Sequence, residues 1–268
     1  MAHANAGPIG GLEVRAGPQS LFAFEPASGR LLAGVGWNRY RPWLHPLCTP
    51  AGVPVLREFP PDHPFHNGCF VGQHPVRSAR GEANFWAVPP ERTRHDPVFV
   101  RLGRVETEPA IGREALADGG VRLVLRCLWH DERDEPLLEE QRRIEVRRVD
   151  DAVLCTVASC KRAAWGPVEF PPTKFGGIAV RLDPRLAPDL GACVLAAGGA
   201  RGGAEVAHGK PSDFVAFEAG GEPRFGLTLF GDDPALPWFV RDYGLALWNP
   251  TGQRAIALGA GESWALAL

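Results

Sequence analysis

The sequence lacks the features that mark membrane proteins, nucleic-acid binders and secreted proteins. No apolar run approaches the roughly 18 to 20 residues that a membrane-spanning helix needs, and the opening residues MAHANAGPIGG lack the charged and apolar regions of a secretory signal. Asp plus Glu number 31 against 29 for Lys plus Arg, and the two signs are mixed along the chain. We therefore predict a cytoplasmic protein without a membrane or nucleic-acid partner.

The sequence also lacks a C-x-x-C pair, although it contains six cysteines. Several of them lie in apolar, strand-like runs, where a thiol packs as a small hydrophobic group. We therefore expect reduced structural thiols rather than a disulfide framework. The cysteines are Cys48, Cys69, Cys127, Cys155, Cys160 and Cys193.

Helical periodicity is nearly absent, and many segments alternate apolar and polar residues instead. The clearest are VRLVLRCLWH, LLEEQRRIEVRRVDD and AVLCTVASCKRA, which Asp-rich turns join into a predicted antiparallel meander with one solvated face. Other predicted strands are SLFAFEP, LLAGVGW, PVFVRLGRVET, GIAVRL, DFVAFEA, RFGLTLFG, GLALW, RAIAL and SWALAL. This pattern predicts an all-β fold, a large antiparallel two-layer β-sandwich. We expect one domain over residues 1–268, with residues 1–11 as a loose N-terminal segment.

Four stretches are too rich in polar, aromatic and proline residues to be sheet alone. They are YRPWLHPLCTP (40–50), PPDHPFHNG (60–68), PPTKFGG (171–177) and PWFVRDYG (237–244). Both tyrosines of the chain and one of its three lysines lie within these stretches. We predict that these loops converge on one face of the sandwich and carry the function.

Asp62, His63 and His66 suit acid–base chemistry, because a carboxylate can fix the tautomer of a neighbouring imidazole and raise its basicity. Two histidines can also bind a metal, but the third donor would have to come from a residue such as His130, His45 or Asp242. A purely structural role, with one histidine capping a turn, is the third interpretation. We predict no cofactor, and a metal only as the less favoured alternative.

The segment RDYG places three reactive side chains in a row. Arg241 can clamp an anion or a carbonyl, Asp242 can serve as acid or base, and Tyr243 can donate a phenolic proton. In an extended segment Arg241 and Tyr243 point to one face and Asp242 to the other. The alternative interpretation is a salt bridge beside a buried tyrosine hydroxyl.

Five further residues are predicted substrate contacts. Lys174 precedes FGG and could stabilise an oxyanion, or it could be an ordinary surface lysine. A tryptophan face beside polar donors is common in sugar sites. The contacts are Lys174, Arg41, His45, Asn84 and Trp86.

Five motifs occur in a fixed order over most of the chain: RPWLHPLCTPAGVPVLREFPPDHPFHNG, ANFW, TKFGG, GGAEVAHGKPSDFVAF and PWFVRDYGLALWNPTG. In this order they resemble the PmoA-like domain of unknown function, a family often labelled methane oxygenase. That label does not suit a chain without a membrane-spanning segment. The family pattern Asp-His-Pro-His-His-Arg-Gly is changed here at Phe65 and Asn67, a usual histidine is replaced by Phe239 and a usual tryptophan by His208.

The resemblance implies a carbohydrate ligand, because members are similar to the large β-sandwiches of aldose mutarotases and tend to accompany sugar dehydrogenases. It therefore also implies a sugar dehydrogenase in the same pathway. We expect an enzyme that uses His, Tyr and Asp for acid–base chemistry on a sugar or 3-keto-sugar derivative, as a lyase, hydrolase or epimerase. The alternatives are a non-catalytic carbohydrate-binding sandwich and, third, a cupin-like oxygenase with a histidine-bound metal.

Overall fold

The computed structural model describes residues 8–9, 11–87, 101–108, 112–222 and 224–268. Most of this part of the chain is strand, and its helices are short 3-10 turns at Pro184–Leu186, Pro188–Leu190, Ala197–Gly199 and Ala204–Val206. The predicted all-β class is therefore confirmed. Residues 1–7 and 10 of the predicted N-terminal segment, and residues 97–100 of the predicted strand PVFVRLGRVET, lie outside the described residues.

The described strands pair antiparallel throughout their ladders. In chain order they are β1 (Pro8–Ile9), β2 (Leu12–Gly17), β3 (Ser20–Glu25), β4 (Arg30–Trp37), β5 (Pro42–Leu47), β6 (Cys69–Gln73), β7 (Val76–Ser78), β8 (Gly81–Ala83), β9 (Arg104–Thr107), β10 (Gly112–Ala115), β11 (Val121–His130), β12 (Pro136–Val149), β13 (Ala152–Arg162), β14 (Val168–Phe170), β15 (Gly176–Arg181), β16 (Cys193–Ala196), β17 (Ala200–Gly202), β18 (Val215–Glu218), β19 (Gly226–Leu229), β20 (Phe239–Arg241), β21 (Leu245–Trp248), β22 (Ile256–Leu258) and β23 (Ser263–Ala267).

Two large sheets dominate the described residues. The nine-stranded sheet has the order β1-β2-β3-β4-β5-β6-β15-β21-β20, and the six-stranded sheet has the order β10-β11-β12-β13-β23 with β9 paired to β11. Two four-stranded sheets, β22-β14-β7-β8 and β17-β16-β18-β19, complete the arrangement. Alternate side chains of both large sheets belong to one buried cluster, so the sheets pack face to face as a sandwich.

The predicted meander is β11, β12 and β13, joined by tight turns. Buried and less buried residues alternate along β11, as expected of strands with one face against a core. On β12 the less buried side chains likewise lie on one face, as predicted, and the buried face carries Glu140 and Arg142 beside Ile144 and Val146. The core face of this sheet is therefore partly ionic.

This buried network consists of Trp129, Glu140, Arg142, Ser159 and Lys161. Glu140 accepts hydrogen bonds from Arg142 at 2.9 Å, from Ser159 at 2.6 Å and from Trp129 at 2.7 Å. Burial opposes ionisation of Glu140, but Arg142 and Lys161 outweigh it and lower its pKa to about 2. Arg142 Nη1 also donates to the Pro42 carbonyl at 2.8 Å, which ties the six-stranded sheet to β5 of the other layer.

The second face of the nine-stranded sheet carries a row of side chains outside the main core. In the strand register, directly opposed residues run across five neighbouring strands: Trp43, Phe70, Ala179, Leu247 and Phe239. These residues belong to a second, smaller apolar cluster. The row forms the floor on which the functional loops lie.

Candidate functional site

A cleft of about 320 Å³ opens over this row. Three of the four predicted loops contribute to it, together with the motif ANFW. Its lining residues are His63, Phe65, His66, Trp86, Lys174, Phe175, Phe239, Arg241, Tyr243, Leu245 and Leu247. The structure thus brings together six of the predicted site residues, namely His63, His66, Trp86, Lys174, Arg241 and Tyr243.

The segment 60–68 is a series of tight turns that end at β6. The His63 N–H donates to the Pro60 carbonyl at 3.1 Å, and the His66 N–H donates to the His63 carbonyl at 2.9 Å. Gly68 has φ +54°, and a Cβ there would lie 2.2 Å from the Leu44 carbonyl oxygen. Only glycine fits this close approach, which turns the chain into the sheet directly after the histidines.

Asp62 lies behind His63 and orients it. Its carboxylate lies 2.8 Å from His63 Nδ1, and both of its oxygens accept from Arg181 Nη2 at 2.8 Å. Burial opposes ionisation of Asp62, but the hydrogen bonds from His63 and Arg181 lower its pKa to about 2. An ionised carboxylate can only accept, so His63 Nδ1 is the donor and Nε2 of the neutral ring keeps its lone pair.

Tyr243, His63 and His66 form a stack of rings. The His63 ring lies 4.9 Å from that of Tyr243 and 4.7 Å from that of His66, with interplanar angles of 17° and 3°. The Arg181 guanidinium lies 4.7 Å from the Tyr243 ring centroid. The stack therefore fixes the orientation of the rings that the sequence singled out.

His66 and Tyr243 are both held in their neutral forms. Burial lowers the pKa of His66 well below its ordinary value, and the charge that His63 carries when protonated and the Arg181 guanidinium act in the same direction. Burial raises the pKa of Tyr243, which keeps its hydroxyl protonated and able to donate near neutral pH. His66 Nδ1 is buried without a hydrogen-bond partner among the described residues, a state that costs about 1–3 kcal/mol for a buried polar group.

Arg41 and Asn84 do not line the cleft, so the structure does not support their predicted role as direct substrate contacts. The buried Arg41 donates to the carbonyls of Phe65 and Trp86, the latter at 2.9 Å. The Asn84 side-chain oxygen accepts from the Trp86 N–H at 2.9 Å. Both residues instead hold the wall formed by Phe65 and Trp86.

His45 and Asp242 also lie outside the cleft. His45 is on β5, where its Nδ1 lies 3.1 Å from a Glu58 carboxylate oxygen. Asp242 lies in the turn after β20 and accepts from the Ala204 N–H at 2.9 Å. Arg241 and Tyr243 line the cleft, whereas the carboxylate of the intervening Asp242 contacts the backbone at Ala204 instead.

Arg181 is the functional side chain that sequence reasoning missed. It is the last residue of β15, only 2% exposed, and its Nε and Nη1 have no hydrogen-bond partner among the described residues. The one sequence feature that could have pointed to Arg181 was a single arginine at the end of the apolar segment GIAVRL. A charge at the end of a buried strand is common, however, and its partner Asp62 lies 119 residues away.

The histidine pair does not form a metal site in this geometry. The rings are parallel, so the lone pairs of His63 and His66 lie in separate planes and do not converge on one ion. Within the described ranges, no group of three or more His, Cys, Asp or Glu side chains is arranged to hold a metal. The donors that sequence reasoning suggested, His130, His45 and Asp242, do not line the cleft.

The fold and the cleft define an all-β protein with an aromatic and cationic cleft beside an Asp-His pair. The chain belongs to the family of unknown function DUF6807, whose model matches residues 12–268. No curated protein matches the chain. Among the helices of the described residues, none has the length and apolar character needed to cross a membrane.

Proposed function

We propose that this protein is an enzyme that performs acid–base chemistry on a sugar or 3-keto-sugar derivative. The observation that carries the proposal is the Asp62-His63 pair, which engages Nδ1 of the imidazole and leaves Nε2 available in a cleft beside a protonated phenol. A positioned base and a positioned acid are what removal of a proton next to a carbonyl group requires.

The reaction that suits this pair is elimination from a 3-keto glycoside. The C3 ketone acidifies the C2 hydrogen, and His63 Nε2 takes that proton while the electron pair forms the C2–C3 enolate. The enolate collapses to a C1–C2 double bond as the C1–O bond breaks, and the Tyr243 hydroxyl protonates the departing oxygen. His63 then returns its proton to Tyr243, so the net proton moves from C2 to the leaving group.

Arg241 is the group that we assign to the developing enolate oxygen. It shares one face of the nine-stranded sheet with Arg181, since Leu245 lies opposite both residues in the register. Arg241 lines the cleft together with Tyr243 and His63, and its positive charge acts to lower the pKa of Tyr243, against the larger effect of burial. A fixed cation near a developing oxyanion lowers the barrier without reorganisation during the reaction.

Simple epimerisation or ring opening would use the same residues, so the reaction type stays open within this class. The resemblance to PmoA-like domains and to mutarotase sandwiches is compatible with a sugar substrate and a sugar dehydrogenase that supplies it. The six free cysteines fit a cytoplasmic protein.

The test is a panel of 3-keto glycosides and reducing sugars, followed by NMR for loss of the keto sugar or for anomer exchange. We expect turnover by the wild-type protein and its loss in His63→Gln. His45→Gln is the matched control, because His45 also pairs with a carboxylate but lies outside the cleft.

Two results would count against the proposal. Turnover that is unchanged in His63→Gln would show that His63 is not the base. Binding of sugars without turnover across the whole panel would instead favour a carbohydrate-binding module, in which Trp86, Phe175 and the histidines only contact the ligand.

A further inference from the structure

Two cationic side chains at the cleft have no anionic partner in the part of the chain that the structure describes. Lys174 and Arg241 are both exposed, and within the described residues neither forms an ion pair or a hydrogen bond. Each instead lies near an aromatic ring of the cleft, Lys174 Nζ at 5.0 Å from Phe175 and the Arg241 guanidinium at 4.9 Å from Phe239. Many other arginines of this chain pair with carboxylates, among them Arg15, Arg77, Arg104, Arg122, Arg126 and Arg185.

The cleft is therefore positively charged. Its described lining residues include no Asp or Glu, and the nearby Asp62 is already neutralised by Arg181 and bonded to His63. A neutral sugar would leave both cations without a partner in a largely aromatic hollow. An anionic substrate would supply the missing charge.

Lys174 lies on a rigid segment rather than on a free loop. The Thr173 N–H donates to the Thr251 carbonyl at 2.9 Å, and the Asn249 amide donates to the Thr173 carbonyl at 2.6 Å. Gly177 follows with φ +88°, where a Cβ would lie 2.0 Å from the Trp248 carbonyl oxygen. The backbone that carries Lys174 is thus fixed against β21, which favours recognition over a chance surface charge.

The two cations lie toward opposite ends of the cleft. Strands β15 and β20 run in the same direction, because both pair antiparallel with β21, and Ala179 and Phe239 lie opposite the same residue, Leu247. Lys174 precedes Ala179 by five positions, whereas Arg241 follows Phe239 by two. Arg241 is therefore on the side of Tyr243, and Lys174 is on the side away from it.

From this separation we infer that the substrate is a sugar acid whose carboxylate is remote from the reacting carbon and binds Lys174. This inference rests on the proposed function for the role of Arg241 at the reacting end. Lys174 is a specificity-determining residue in this assignment, because it contacts substrate but takes no part in the proton transfers.

The test uses uronic acids of glucose, galactose and mannose configuration and the primary amide of each, which has the same shape without the charge. Calorimetric titration of the full chain at low salt is expected to show at least one uronate that binds about tenfold more tightly than its amide. This preference should disappear in Lys174→Gln and weaken at high salt. It should persist in Lys210→Gln, because Lys210 binds the Glu205 carbonyl outside the cleft.

Three outcomes would overturn the inference: equal affinity for acid and amide, a preference that survives in Lys174→Gln, or no binding of any uronate. The His63→Gln variant separates this inference from the proposed function. Suppose that the His63→Gln variant prefers uronates over their amides as strongly as wild type does, and that the wild-type protein turns over no sugar. The charge recognition then holds and the proposed chemistry fails. If neutral keto sugars are turned over through His63 and no uronate is preferred, only the charge recognition fails.

Discussion

The cleft and the buried network of Trp129, Glu140, Arg142, Ser159 and Lys161 both bring ionisable groups together, but they use them in opposite ways. In the network each carboxylate oxygen of Glu140 accepts two hydrogen bonds. In the cleft, His66 Nδ1 has no hydrogen-bond partner, and Lys174 and Arg241 have no ion pair, among the residues that the structure describes.

The difference separates groups that stabilise the fold from groups that, under the proposed function, would contact a ligand. Buried charges that satisfy each other specify one packing of the two sheets, and removing one partner leaves the other unpaired. Unsatisfied polar groups around a hollow are costly to the fold, and they are characteristic of sites where a ligand completes the contacts. Variants in the two regions should therefore affect different quantities.

The largest effect is expected for Asp62→Asn, which replaces the accepting carboxylate by an amide. The amide can present its N–H to His63 Nδ1, which would leave the proton on Nε2 and remove the base. We expect kcat to fall by about 100- to 10,000-fold in a steady-state assay of the proposed reaction.

Asp183→Asn is the control for this change, because Asp183 pairs with Arg185 outside the cleft. Equal losses of kcat in both variants would show that the Asp62 carboxylate has no special role. A folded Asp62→Asn protein with wild-type kcat would also contradict the assignment.

Glu140→Gln should have the largest effect on stability. It leaves Arg142 buried beside a neutral amide, which for a broken buried ion pair costs about 3–5 kcal/mol in the free energy of unfolding. Urea denaturation measures this loss. The adjacent Glu139 has partly exposed ion pairs with Arg126 and Arg162, and Glu139→Gln should cost less than about 1 kcal/mol.

The assignment of the network to stability and of the cleft to catalysis would be contradicted if the Glu140→Gln variant kept wild-type stability. It would also be contradicted if the folded Glu140→Gln protein lost kcat as severely as Asp62→Asn.

Tyr243→Phe should have an intermediate effect, because it keeps the ring stack and removes only the proton donor. We expect kcat to fall about 10- to 100-fold, with water replacing part of the phenol's role. The melting temperature should stay close to wild type, since the aromatic contacts with His63 and Arg181 persist. Unchanged kcat would show that Tyr243 is not the acid and that another group donates the proton.

The smallest effect is expected in the pH dependence of stability. Burial lowers the pKa of His66 in the folded protein, whereas the unfolded chain takes up a proton near the ordinary value of 6.5. The unfolded state therefore binds more protons on acidification. As the pH decreases below about 6.5, the free energy of unfolding decreases by at most about 1.4 kcal/mol per pH unit. Thermal melts between pH 7.5 and 5.5 should show this decline in wild type and a weaker one in His66→Gln; equal slopes would contradict it.

Sequence reasoning predicted the strands well where periodicity was strong. The segment VRLVLRCLWH coincides with β11, and the three-strand meander follows the expected order. It missed β5, because PWLHPL has two prolines and was interpreted as part of a loop. It predicted one solvated face for the meander, but it did not predict the buried ion pair of Glu140 and Arg142, because that network includes Ser159 and Lys161 from the next strand.

For the site, residue types and their spacing predicted catalytic roles for Asp62, His63, His66, Asp242 and Tyr243 and a substrate contact for Arg241. The structure brings His63, His66, Arg241 and Tyr243 to the cleft but not Asp242. The alternation rule anticipated that Asp242 would face away from Arg241 and Tyr243. The role of Arg181 and the position of His45 could not be predicted, because both depend on which distant strands become neighbours.

The central claim is that His63 Nε2 removes the proton next to the carbonyl of a bound keto sugar. Its most direct test is the exchange of the C2 hydrogen of a 3-keto glycoside with solvent, followed by proton NMR in D₂O. We predict loss of the C2 signal with wild-type protein and about 100-fold slower loss with His63→Gln. Exchange at the wild-type rate in His63→Gln would contradict the account.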